Sequence, residues 1–87
     1  MTPRNFTNIA TNTTTTVKTG KGTLERITIN TTAAGAITVY DNTSAAGTKI
    51  ATFPSSAVVG TYEFGCRFGT GLTIVTAAAS DITVIWE

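Results

Sequence analysis

Apolar and polar residues alternate over short stretches of this chain, and no segment shows the 3.6-residue spacing of an amphipathic helix. The regular example is residues 61–68, TYEFGCRF, in which every second residue is apolar or aromatic. Since successive side chains of a strand point to opposite faces, this pattern is typical of strands with one buried and one solvated face. We therefore expect a protein built from strands.

Turn-forming residues divide the chain into strands that recur about every ten residues. The alternation predicts strands at residues 14–19, 23–31, 36–40, 48–53, 61–68, 72–76 and 81–87. About seven or eight short strands at this spacing predict an all-β fold, a small antiparallel β-sandwich. Jelly-roll-like and Ig-like topologies both fit, because the pattern does not fix which strands pair.

The first part of the chain differs from the rest because it holds few apolar residues, of which Phe6, Ile9 and Val17 stand out. We interpret residues 1–20 as an extended N-terminal arm with one weak strand and residues 21–87 as the β-sandwich domain. A polar arm that orders on a neighbour gains interface area for a small domain. We therefore expect the arm to reach another subunit.

An internal echo links two parts of the predicted sandwich. The segment ITINTTAAGAITV at residues 27–39 matches LTIVTAAASDITV at residues 72–84, with eight of thirteen positions identical. Both segments predict a hairpin, and together the two hairpins would supply two apolar layers. The inward side chains would be Ile27, Ile29, Ile37, Val39, Leu72, Ile74, Ile82 and Val84. Duplication of a unit and chance similarity both account for the echo.

Two large side chains have alternative placements. Leu24 is out of phase with Ile27, so either a β-bulge corrects it or it faces a partner. Trp86 is in phase with Ile82 and Val84, which favours a place in the core over an exposed interface.

Charge and composition exclude several classes of partner. The formal net charge is +1, and 13% of the residues are charged, so the chain has no basic stripe for nucleic acid. No apolar run approaches the roughly 20 residues that span a bilayer, and we expect no membrane partner. Threonine supplies 21 of the 87 residues, which gives the strands hydroxyl groups on their solvated faces.

Candidate chemistry is sparse. The chain has one cysteine and no histidine, so it has no intrachain disulfide and lacks the usual zinc ligands. Cys66 lies on an apolar face, where a thiol is inert. Asp41 and Asp81 lie at strand ends, where aspartate bonds the local backbone, and Glu63 and Arg67 are spaced to form a charge pair. We expect no enzymatic activity, no catalytic residue, no metal and no cofactor.

Three segments carry a resemblance to a known group of proteins. They are GTLERITINT at residues 22–31, ITVYDNTSAAGTKIAT at residues 37–52 and TGLTIVTAAASDITV at residues 70–84. On these segments, residues 17–86 resemble small Thr/Ala-rich phage virion structural proteins. The resemblance implies a capsid decoration (cement) protein, located in the virion and made in the host cytoplasm. Its implied partners are copies of itself, as a trimer, and the major capsid protein.

Other functions remain compatible with the sequence. A neck, tail or fibre component fits the same resemblance, and a carbohydrate-binding β-sandwich fits the fold. The candidate protein contacts include arm, strand and loop residues. They are Phe6 and Ile9 in the arm, Leu24 if it faces outward, Tyr40, and Asp41 and Asn42 in the loop at residues 41–47. Tyr40 alternates away from the apolar face and is also the candidate carbohydrate contact.

Overall fold

The computed structural model describes residues 4–87, which form eight β-strands. The strands are Asn5–Ile9 (β1), Thr13–Thr19 (β2), Gly22–Thr31 (β3), Ile37–Tyr40 (β4), Lys49–Phe53 (β5), Gly60–Phe68 (β6), Gly71–Thr76 (β7) and Asp81–Trp86 (β8). Within these residues, no helix has the length and apolar character required to cross a membrane. The alternation of the sequence therefore predicted seven of the eight strands, and only β1 was missed.

The strands form two four-stranded antiparallel sheets that pack face to face. Sheet A has the order β1-β8-β3-β6, and sheet B has the order β2-β7-β4-β5. This order is that of a jelly roll, in which two interlocked Greek keys send the chain back and forth between the sheets. The predicted β-sandwich is confirmed, and the jelly roll is the topology adopted by these residues.

The core lies between the two sheets and contains the side chains that alternation placed inward. All eight predicted inward residues are buried: Ile27, Ile29, Ile37, Val39, Leu72, Ile74, Ile82 and Val84. Phe53 and Phe68 extend this layer towards the ends of their strands. Burial of these side chains is the main favourable contribution to folding of the sandwich.

The two segments of the internal echo are not hairpins, because each crosses from one sheet to the other. The first segment joins β3 to β4, and the second joins β7 to β8. The segments pair with each other, through β3 with β8 and β4 with β7. Ile27 pairs with Val84. The equivalent pair in the second pairing would be Leu72 with Val39, but Val39 pairs with Ile74 instead. The registers of the two pairings differ by two residues, and a shift of two residues keeps every side chain on its face. The two halves are therefore related by an approximate two-fold axis.

The predicted N-terminal arm is part of the sandwich. Asn5 pairs with Trp86 in sheet A, and Thr13 pairs with Thr76 in sheet B. The prediction of a separate arm is wrong for residues 5–19, and its first three residues lie outside the described part of the chain. Both strands lie at sheet edges, where few side chains are buried, and this explains their low apolar content.

A bulge resolves the position of Leu24. The pairing of β3 with β8 runs from Leu24 opposite Trp86 to Arg26 opposite Ile85, so Glu25 is an extra residue. The bulge turns Leu24 inward, where it is fully buried. Of the two alternatives, the bulge is correct.

Trp86 covers one end of the core. Its ring is partly buried against the core cluster, and its Nε1–H donates a 3.1 Å hydrogen bond to Thr7 Oγ1. The Lys18 ammonium lies 5.6 Å from the ring centroid, within the range of a cation–π contact. Trp86 therefore packs with the core, as its phase predicted.

Candidate interaction surface

The outer face of sheet A carries side chains that align across all four strands. The strand registers define two rows, Phe6, Ile85, Arg26 and Glu63, followed by Asn8, Thr83, Thr28 and Thr61. Contacts between strands join neighbours within the rows: Arg26 Nε lies 3.0 Å from Glu63 Oε2, and the hydroxyls of Thr28 and Thr61 lie 3.1 Å apart. Such cross-strand pairs stabilise the sheet and hold the side chains in place.

An amide and carboxylate network fixes the adjoining part of this face. Asn8 Nδ2 donates to Asp81 Oδ1 at 2.7 Å and to the Ile82 carbonyl at 2.8 Å. Asn30 Nδ2 donates to Thr83 Oγ1 at 3.2 Å. Because these polar groups are already ordered, a partner that binds here loses less conformational entropy than one that binds free side chains.

One large aromatic side chain stands out from the polar face. Phe6 is 71% exposed and lies beside Ile85 on the neighbouring strand. A rigid aromatic ring with exposed apolar area suits a contact with another protein. Of the candidate contacts predicted from the sequence, Phe6 is therefore the one exposed on this face.

Two predicted contacts are wrong because their side chains lie in the core. Ile9 is 4% exposed and faces Ile82 across the strands, and Leu24 is 0% exposed. Ile9 lies on the inward side of an edge strand, and the bulge turns Leu24 to the same side. Neither side chain has surface left for a partner.

Asp41 joins the loop between β4 and β5 to the turn between β6 and β7, and Asn42 closes that loop. The Asp41 carboxylate accepts hydrogen bonds from the backbone N–H groups of Gly69 at 3.0 Å and Thr70 at 2.9 Å. The hydrogen bond from Gly69, followed by that from Thr70, holds the pKa of Asp41 below its ordinary value. Asn42 Nδ2 donates to the Ala46 carbonyl at 2.8 Å and closes the loop on itself.

Tyr40 lies on the other side of the molecule. It is partly buried on β4, between Lys49 of β5 and Thr73 of β7 in the strand register. The structure therefore separates Tyr40 from Phe6 by placing them in different sheets. The predicted contact residues do not form one surface.

Three further carboxylates, those of Glu25, Glu63 and Asp81, make structural contacts. Arg4 Nε lies 3.4 Å from Glu25 Oε1, and Glu63 pairs with Arg26 rather than with the predicted Arg67. The pairing is across strands because β3 and β6 align Arg26 directly opposite Glu63. Asp81 bonds side chains rather than the local backbone.

Cys66 does not join a cluster of acidic residues in the described part of the chain. Cys66 is partly buried beside the core, and burial raises the pKa of its thiol. Residues 4–87 contain no group of three or more His, Cys, Asp or Glu side chains placed to hold a metal ion.

Sequence reasoning missed two surface features. The aligned polar rows could not be predicted because they depend on strand order. A second apolar feature, Val58 and Val59, is exposed in the loop before β6. Tyr62 fixes this loop by donating a 2.6 Å hydrogen bond from its hydroxyl to the Val58 carbonyl.

Comparison with protein-family models and with curated proteins finds no match for this chain. The resemblance to phage virion proteins therefore stays a prediction, and the candidate surface is defined by its geometry.

Proposed function

We propose that this chain is a non-enzymatic structural protein of a phage particle, a capsid decoration protein that stabilises the shell by binding its subunits. The observation that carries the proposal is the outer face of sheet A, whose aligned polar side chains are fixed by hydrogen bonds beside an exposed Phe6. A flat, ordered polar face with an aromatic side chain at its edge suits binding to another protein surface.

The fold is compatible with this role but does not specify it. Jelly rolls occur in viral capsid proteins and also in lectins. The resemblance in sequence is what favours the virion, and it implies the major capsid protein and further copies of the chain as partners. A single cysteine without a disulfide also suits a protein made in the reducing cytoplasm of a host.

The test is binding to shells of the parent phage that lack this protein, measured by co-sedimentation and by the thermal transition of the shells. We expect the chain to sediment with the shells and to raise their transition temperature. Thr61→Arg places a bulky cation on the exposed outer face of sheet A and should weaken binding about tenfold, or about 1.4 kcal/mol.

Thr52→Arg is the matched control, because it makes the same change at an exposed strand threonine of sheet B. It should leave shell binding unchanged. Shells that never bind the chain would contradict the proposed function, and equal loss of binding in both variants would contradict the assignment to sheet A.

The carbohydrate-binding alternative depends on Tyr40. Sugar sites of this type use exposed aromatic rings, whereas Tyr40 is partly buried and the exposed Phe6 lies in the other sheet. Glycan binding that is lost in Tyr40→Ala, together with no binding to shells, would favour this alternative.

A further inference from the structure

β1 is an edge strand with an open side. It pairs with β8 on one side, and within residues 4–87 no strand pairs with its other side. An edge strand presents unpaired N–H and C=O groups, which can template the addition of another strand.

The other three edge strands carry features that disfavour such pairing. β2 has a register shift at Val17, β6 has a bulge with Gly65 at a φ of +58°, and β5 has a register shift and is followed by Pro54. By contrast, β1 keeps an uninterrupted register with β8 from Asn5 to Ile9 and contains no charged residue, glycine or proline. β1 is therefore the edge best suited to accept a strand.

The charges around β1 have partners within each copy, so they do not repel a second copy: Arg4 Nε lies 3.4 Å from Glu25 Oε1. Arg4 precedes the strand, and Asp81 lies beside its end, where it accepts the 2.7 Å hydrogen bond from Asn8. In an antiparallel pair of β1 strands, the start of each strand lies beside the end of the other. Phe6 of each copy then lies over the second β1 on the same face, and neither Arg4 nor Asp81 needs a new partner there.

We propose that two copies of this chain pair β1 with β1 in antiparallel orientation about a two-fold axis. The contact joins their A sheets into one eight-stranded sheet and uses the same surface on both copies. This pairing rests on the self-association that is part of the proposed function, and it specifies the contact. A symmetric contact of this kind predicts two copies in solution, whereas the resemblance implies three.

The test measures the mass of the full chain by sedimentation equilibrium over a range of concentrations. The wild-type chain should have the mass of two copies and separate on dilution. Phe6→Lys places a charge on the edge of β1 and should give a single copy at the same concentrations. Val58→Lys is the matched control, since Val58 is similarly exposed, at 76%, but lies in the loop before β6. This variant should keep the mass of two copies.

Amide hydrogen exchange gives a second readout that needs no substitution. The N–H groups of Asn5–Ile9 that face away from β8 should exchange more slowly as the protein concentration rises, while those of Lys49–Phe53, an edge of sheet B, should not change. Circular dichroism should show that both lysine variants stay folded, because neither replaced side chain is buried.

A wild-type chain that is monomeric or trimeric would overturn the two-fold contact, as would a Phe6→Lys variant that stays paired or a Val58→Lys variant that separates. The outcomes also distinguish this contact from the proposed function. A monomer that binds shells would overturn the pair alone, and a β1-linked pair that ignores shells would overturn the shell-binding role alone.

Discussion

The carboxylate of Asp41 accepts a 2.9 Å hydrogen bond from the backbone N–H of Thr70, and this contact joins the β4–β5 loop to the β6–β7 turn. The neighbouring N–H of Gly69 donates to the same carboxylate. One side chain therefore satisfies backbone donors from a turn that is far from it in sequence. The loop and the turn should depend on the ionisation of this one carboxylate.

Asp41→Asn tests that dependence. The pKa of Asp41 is lower in the folded state than its ordinary value of 3.8, so the charged form stabilises the fold above that pH. This stabilisation is lost as the pH falls below 3.8 through the folded-state pKa. In urea unfolding we expect the wild-type chain to be the more stable at pH 7 by about 1 kcal/mol, and the difference to shrink at pH 3. An equal difference at both pH values would contradict the role of the charge.

Leu24→Ala tests the bulge that turns Leu24 into the core. Removing a fully buried leucine side chain leaves a cavity and should lower the free energy of unfolding by about 2–4 kcal/mol. Phe6→Ala removes a larger side chain that is mostly exposed and should change it by less than about 0.5 kcal/mol. Thermal denaturation of both variants, measured at one low concentration, compares them. A small effect at Leu24 would show that this side chain does not face the core.

Gly65→Ala tests the conformation of the bulge in β6. The φ of +58° at Gly65 disfavours any side chain, although an added Cβ would have no atom within 4 Å. The expected loss of about 1 kcal/mol of stability is therefore conformational in origin. Gly69→Ala is the control, because its Cβ would meet Asp41 Oδ2 at an ordinary 4.0 Å. Chemical denaturation should separate the two variants, and equal stabilities would contradict the strained position at Gly65.

Cys66 offers a chemical measure of burial. Because desolvation raises the pKa of its thiol, a smaller fraction is thiolate at neutral pH than in an unfolded chain. Alkylation by a maleimide should therefore be slower for the folded protein than for the protein in concentrated urea, after correction with a free-thiol standard. Equal rates would indicate that the thiol is solvated in the fold.

Alternation predicted the inward residues well, because the core decides which face of each strand is apolar. Ile27, Ile74 and Val84 are buried as expected. The pattern could not predict that residues 5–19 belong to the sandwich, since edge strands bury few side chains and resemble a polar arm. The pattern also could not predict strand order, because every inner strand has the same alternation.

The candidate surface was less predictable than the core. Phe6, predicted as a protein contact, is exposed, but Ile9, predicted with it, faces inward because it lies three residues away in an alternating strand. The pairing of Glu63 with Arg26 depends on contacts between strands that are distant in sequence. Local spacing had suggested Arg67 instead, and only the register of β3 against β6 excludes that pair.

The pairing of Asn5 with Trp86 also governs when this protein can fold. β1 cannot join β8, nor can β2 join β7, until β7 and β8 have left the ribosome. A topology dominated by such distant pairings folds slowly, on the order of milliseconds to seconds. During synthesis the earliest strands must therefore wait unpaired for the latest, and refolding experiments should show one slow cooperative step rather than early formation of either sheet.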